Sequence, residues 1–187
     1  MLILASNSPR RRELLGLITS NFAVIPADAD ETVLLGDAEE AVRELARRKA
    51  SAVAAAHPND LVIGADTLVA LDGRMLGKPR DESDAKEMLE ALSGKTHTVS
   101  TGVALLGPER SDLFACTAQV EFIPLEKRDI DAYVATGEPM DKAGSYGIQG
   151  YGAKFVAGVT GDYYTVVGLP VSELWRRLRL FPGYEAL

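Results

Sequence analysis

One cysteine, Cys116, is present in the whole chain, so no internal disulfide forms and a cysteine-based zinc site is excluded. Histidine is nearly as scarce. His57 and His97 are too far apart in sequence to make a helical metal pair. Positive charge is in deficit: the 187 residues carry a formal net charge of −7. That argues against broad nucleic-acid binding and leaves room only for a local basic pocket. No nucleic-acid partner is expected. The first residues lack a basic region, and no apolar run reaches membrane-spanning length, so neither a signal peptide nor a membrane contact is expected and the cytoplasm is the expected location. Catalytic signatures are missing too. Gly77-Lys78-Pro79 lacks the glycine spacing and the Ser/Thr of a P-loop, and no nucleophile elbow or Cys–His pairing is evident. Direct attack by water is therefore expected rather than a covalent intermediate. With no repeats, low-complexity tracts or obvious linker, residues 1–187 are expected to form one domain, large enough to bury a substantial core.

What is present begins at the first residues. Leu2-Ile3-Leu4-Ala5 reads as a short buried strand, followed by the polar loop Ser6-Asn7-Ser8 and a helix. Ser8 suits the N-cap, and Pro9 suits the first helical position, where its missing N–H costs nothing. Arg10, Arg11 and Arg12 then crowd the first turn, although cations oppose the positive end of a helix dipole. Free N–H groups and guanidinium groups together suit an anion such as phosphate. Arg11 shares its stripe with Leu14, Leu15 and Ile18.

Phe22–Pro26 reads as a second strand, followed by the acidic residues Asp28, Asp30 and Glu31. A helix is expected over Asp37–Ala56. Lys49 lies on its apolar stripe, four residues from both Leu45 and Val53, so it must snorkel or point into a polar cleft. Arg43, Arg47 and Arg48 fall on other faces. Leu61–Ala65 reads as a buried central strand ending in Asp66-Thr67, and a carboxylate at that position is where open α/β sheets place ligand groups. Leu68–Leu71 resumes a strand pattern, and Asp72-Gly73 marks a tight hairpin. Asp81 is expected to cap a helix over Glu82–Leu92 that Gly94 ends. Thr96–Leu106 and Leu113–Leu125 read as a long hairpin, and Glu126–Ala135 as a helix. The glycine-rich stretch from Lys142 to Gly152 is expected to bring backbone close to a ligand, with Gln149 offering both donors and acceptors to a base edge. Phe155–Val159 and Tyr163–Val167 read as strands. A last helix is expected to turn Val171, Leu174, Trp175 and Leu178 inward.

The charges that periodicity places oddly are Arg11, Lys49, Lys78, Asp66, Asp30 and Glu31. Cations with a few carboxylates fit a metal-assisted phosphate site.

Several blocks go further. Ala5-Ser6-Asn7-Ser8-Pro9-Arg10-Arg11, Asp30-Glu31, Lys49-Ala50, Gly64-Ala65-Asp66-Thr67, Gly77-Lys78-Pro79, Leu92-Ser93-Gly94 and Gly144–Gly150 resemble the Maf family of nucleoside triphosphate pyrophosphatases along nearly the whole chain. The first block and Ala65-Asp66-Thr67 are the most specific. Asn7 departs mildly from a glycine often seen there.

The resemblance implies an α/β fold, a mixed sheet in two lobes around a central cleft, similar to the inosine triphosphate pyrophosphatases. It implies hydrolysis of a nucleoside triphosphate to the monophosphate and pyrophosphate with a divalent cation, Mg²⁺ foremost and Mn²⁺ or Co²⁺ as alternatives. Asp66 matches the general base, with Lys49 and Lys78 beside it as catalytic cations. Ser6, Ser8, Arg10 and Arg11 match substrate-binding positions. Arg11, Thr67 and Gln149 match those that separate subgroups. Glu31 and Asp66 match metal ligands, so Asp66 stands as base or as ligand. Tyr146-Gly147-Ile148-Gln149-Gly150 is similar to the dTTP/UTP subgroup rather than the 7-methyl-GTP one, and a homodimer is implied. Two other functions stand beside this one: a non-catalytic nucleotide-binding regulator of cell division, and a 7-methyl-GTP pyrophosphatase.

Overall fold

A computed structural model describes residues 1–30, 32 and 36–186. Strand β1 (Leu2–Ala5) is wholly buried and pairs in parallel with β2 (Ala23–Val24) on one side and β3 (Leu61–Leu71) on the other. The second strand is shorter than expected. Ile25 donates to the Leu4 carbonyl (3.0 Å), but Pro26 has no N–H with which to continue the ladder. Among the described residues the sheet has seven strands in the order β2-β1-β3-β5-β6-β7, with β4 (Arg74–Leu76) also on β3; β5 is Thr96–Leu106, β6 Ser111–Phe122 and β7 Val156–Thr160. Parallel pairing at β1 and antiparallel pairing at β3–β4 and β6–β7 make it the expected mixed α/β sheet.

Helices follow their caps. Helix α1 (Pro9–Gly16) starts at Ser8, α2 (Ala38–Ala54) at Asp37, α3 (Glu82–Leu92) at Asp81 and α4 (Lys127–Val134) at Glu126. Asp37 and Asp81 accept from the backbone N–H three residues on, at 2.8 Å each. Asp72 and Gly73 both have positive φ, 50° and 79°, as a two-residue hairpin between β3 and β4 requires.

Three expectations are corrected. Asp66 does not end its strand, because β3 runs unbroken for 11 residues through Asp66-Thr67. Pairing with β1 stops at Ala5–Gly64, and pairing with β4 begins only at Val69, so the polar pair occupies the interval between two partners. Tyr163–Val167 is a short helix, α5, not a strand. Gly161, at φ +109°, turns the chain out of β7, and the Asp162 carboxylate accepts from the Thr165 N–H (2.8 Å) and hydroxyl (2.7 Å). That local cap outweighs the strand preference of Tyr, Thr and Val. In the last helix, α6 (Val171–Leu178), Leu174 and Leu178 are buried, but Trp175 is exposed on the outer side and stacks under Arg179.

The chain divides into two compact units. The first comprises Met1–Asp66, Thr101–Cys116 and Gly168–Leu187; the second comprises Thr67–Ser100 and Thr117–Val167. In the first, Ile3, Ala5, Ala46, Ala50, Val53, Val62 and Ala104 pack as one cluster. In the second, a larger cluster includes Leu89, Leu92, Phe122, Tyr133, Tyr146 and Phe155. Among the described residues no helix is long and apolar enough to cross a membrane.

Candidate active site

In the first unit the site starts from a glycine. Ala46, Ala50 and Gly64 are all small, and they let α2 lie directly on β3. A β-carbon on Gly64 would overlap the Ala46 carbonyl and lie 2.6 Å from the Ala50 nitrogen. Gly102 of β5 meets the Val42 backbone in the same manner. This close approach sets Lys49, on the apolar stripe of α2, against Asp66, two residues beyond Gly64. Lys49 Nζ donates to Asp66 Oδ1 at 2.5 Å, with the two side chains only 12% and 13% exposed. Taking two charges out of water is costly, and here the mutual contact offsets that cost. The ammonium also lessens the repulsion a bare carboxylate would exert on an anionic ligand.

The turn into α1 lies at the same end of the parallel pair, because Ala5 pairs with Gly64 and Ser6 follows Ala5. Here the structure changes the expected picture of an open anion cradle. Ser6 is buried and its Oγ accepts from the Ser8 N–H (3.1 Å), while Ser8 Oγ accepts from the Arg11 N–H (3.4 Å). These two backbone donors are therefore already engaged by side chains, and the guanidinium groups of Arg10, Arg11 and Arg12 are the cationic features of this turn. Arg11 Nε donates to the Gly168 carbonyl at 2.9 Å, which fixes its direction.

The acidic loop is tied to α2 by a residue that periodicity gave no reason to single out. Arg48 Nη1 donates to the carbonyls of Asp30 (3.3 Å) and Thr32 (3.0 Å). Arg48 is itself held by Glu44, whose carboxyl is kept down at about 2 by hydrogen bonds from Arg47 and Arg48. Asp30 is exposed, with its own carboxyl lowered by hydrogen bonds from Thr32. Glu31 lies outside the described residues.

In the second unit, Thr67 directly follows Asp66 in β3 and is half-buried, while Lys78 is exposed in its loop. That loop is joined to the glycine-rich segment: Gly144 N–H donates to the Gly77 carbonyl at 3.0 Å. Gln149 is exposed. The glycines around it have a different cause from the one expected. Gly147, Gly150 and Gly152 crowd the Glu138 carboxylate and the Tyr133 hydroxyl, where added β-carbons would come within 3.1, 2.6 and 2.9 Å of Glu138 Oε1, Glu138 Oε1 and Tyr133 Oη respectively. They make room for the chain's own acid. Burial raises the Glu138 carboxyl, but N–H groups of Tyr151 and Gly152 and the Tyr133 hydroxyl outweigh it, and the group titrates below its ordinary value. Read alone, Thr136-Gly137-Glu138-Pro139 looks like a helix breaker, and nothing in it announces this role.

As for a metal, among the described residues no group of three or more His, Cys, Asp or Glu side chains is gathered at one point. Asp66 offers carboxylate oxygens and no soft ligand stands near it in sequence. Such a donor fits a hard divalent cation that completes its shell with phosphate oxygens and water.

A family model described as Maf-like protein matches residues 1–181. The chain belongs to the Maf family. Relatives of this Maf chain include a dTTP/UTP pyrophosphatase of Bacillus cytotoxicus, 53% identical over 180 residues that cover 96% of this chain and 94% of the relative. Another, the dTTP/UTP pyrophosphatase of Bacillus mycoides, is 51% identical over 181 residues, covering 96% and 95%. Among solved structures, the Ham1 protein of Staphylococcus aureus aligns with a TM-score of 0.47 at 22% identity, over 65% of this chain and 71% of that one.

Proposed function

We propose that this Maf chain hydrolyses dTTP and UTP to the nucleoside monophosphate and pyrophosphate. The observation that carries the reading is the Lys49–Asp66 pair at 2.5 Å, set where β3 passes beyond its parallel partner. The names of relatives half identical to it over nearly their full length support the substrate class. Asp66 accepts the proton of a water that attacks the α-phosphorus. The bond from that phosphorus to the bridging oxygen breaks, and pyrophosphate leaves with the electron pair. Lys49 and Lys78 offset charge on the phosphate chain, and Ser6, Ser8, Arg10 and Arg11 bind it. Thr67, Arg11 and Gln149 set which base is accepted. Asp66 and Glu31 would hold a divalent cation, Mg²⁺ in the first instance, which supplies charge neutralisation and orientation of the triphosphate when bound. Positioning and electrostatics account for most of the acceleration in such a site.

The family match over residues 1–181 supports treating the whole chain as one functional domain, and we extend the reading to a cytoplasmic homodimer. Light scattering of the purified protein tests the dimer. Product analysis tests the reaction: UMP plus pyrophosphate from UTP, only with added metal, is the expected result. UDP plus orthophosphate would place attack at the γ-phosphorus and overturn it.

A further inference from the structure

Glu138 and Tyr133 together hold both ends of the Gln149 loop. Tyr133 is buried in the core of its unit, edge-on to Phe155 with ring centroids 5.1 Å apart. Its hydroxyl donates to Glu138 Oε1 (2.9 Å) and accepts from the Gly147 N–H (3.0 Å). The Glu138 carboxylate accepts from the Tyr151 N–H at Oε2 (2.8 Å) and from the Gly152 N–H at Oε1 (3.1 Å). Its backbone is fixed in turn, since Lys142 Nζ donates to the Glu138 carbonyl at 2.6 Å. Gln149 stands between these anchors and is exposed.

The chemistry of Gln149 gives this arrangement a purpose. A carboxamide has one donor side and one acceptor side, and it turns over freely. One way up, it complements the N3–H and O4 of uracil or thymine. Turned over, it complements the N3 and amino group of cytosine just as well. A glutamine on a loose loop therefore cannot tell the pyrimidines apart. Discrimination requires that the flanking backbone be fixed, so that only one orientation of the amide is tolerated.

We propose that Glu138, braced by Tyr133, is the positioning residue that sets nucleobase selectivity by holding the loop on both sides of Gln149. This rests on Gln149 reading the base, as in the function proposed above. Neither residue is among those assigned to the triphosphate in the proposed function. Loss of the brace therefore spreads selectivity across bases before it slows the chemical step.

The test is steady-state kinetics of the full chain and of Glu138→Gln and Tyr133→Phe with UTP, dTTP, CTP and ATP. Glutamine keeps the shape of Glu138 but cannot accept at both ends. Phenylalanine removes the hydroxyl alone and keeps the core packed, so it serves if Glu138→Gln fails to fold. The expected result is a fall of about tenfold in the ratio of kcat/KM for UTP over CTP, carried by KM, with kcat for UTP close to that of the unsubstituted chain. Amide exchange at Tyr151 and Gly152 should quicken in parallel. An unchanged ratio, or an equal loss on all four nucleotides, overturns the inference while leaving the proposed reaction standing. If the unsubstituted chain itself turns over neither UTP nor dTTP, the proposed function fails, and the inference fails with it.

Discussion

Gly64 of β3 and Ala50 of α2 are in backbone contact: a β-carbon on residue 64 would lie 2.6 Å from the Ala50 nitrogen. That contact places Lys49 beside Asp66, so a packing residue with no chemistry of its own governs the ion pair on which the proposed function rests. Gly64→Ala forces α2 away from the strand. Overpacking of this kind costs about 1–3 kcal/mol of stability. Activity should fall by more than the loss of folded protein explains. Urea unfolding set beside kcat/KM, at a temperature where the variant is folded, separates the two. Unchanged activity in a destabilised variant would show that the pair tolerates the shift.

Asp66→Asn removes the carboxylate proposed as proton acceptor and takes the negative charge away from the Lys49 contact. Turnover of UTP should drop by ~10²–10⁴-fold, the usual worth of a general base. UTP binding should persist in equilibrium dialysis. Titration with Mn²⁺ separates the two roles of the carboxylate. Retained metal affinity assigns it the proton, and lost affinity assigns it the cation.

Removal of divalent metal by a chelator should abolish turnover, and added Mg²⁺ should restore it. Undiminished hydrolysis in excess chelator would mean that Lys49, Lys78 and the arginines neutralise the triphosphate unaided.

His97 makes stability depend on pH. It is buried in β5, its Nε2 lies 2.8 Å from the Tyr146 hydroxyl, and burial lowers its pKa from 6.5 to about 4. Between those values the unfolded chain binds a proton that the folded chain refuses. Stability is therefore lost as pH falls from 6.5 towards 4, with a slope of up to about 1.4 kcal/mol per pH unit from this group. His97→Leu should flatten the decline between pH 6.5 and 4, and lower stability at pH 7 because Tyr146 loses its partner. Calorimetric Tm values across that range check both parts.

Much of this was legible from spacing. Caps at Ser8, Asp37 and Asp81, the Asp72-Gly73 hairpin and the placing of Lys49 on an apolar stripe are short-range signals, and the structure has each of them. What escaped depends on partners distant in sequence. Glu138 looks like part of a breaker until Tyr151 and Gly152 come back to it. Arg48 lies off the apolar stripe, and only the return of the acidic loop gives it work. Trp175 shares the helical spacing of Val171, Leu174 and Leu178, and only its contact with Arg179 at the exposed edge of that stripe shows that its ring is not buried with them. Tyr163–Val167 is rich in strand-favouring residues, and the cap at Asp162 overrides that preference. Asp66 looks like the end of a strand because the apolar run stops at Ala65, yet β3 continues through it to Leu71.

The order in which segments are recruited bears on biogenesis. The first unit opens with Met1–Asp66 and is completed only by Gly168–Leu187. On a translating ribosome its apolar strands must wait for the last stretch of chain, on the order of ten seconds at typical elongation speeds. During that wait the first unit lacks one of its three segments. The nascent chain is then a natural client for holding chaperones, and shortening it at the C-terminal end should trap it as an aggregating species rather than release a smaller folded protein.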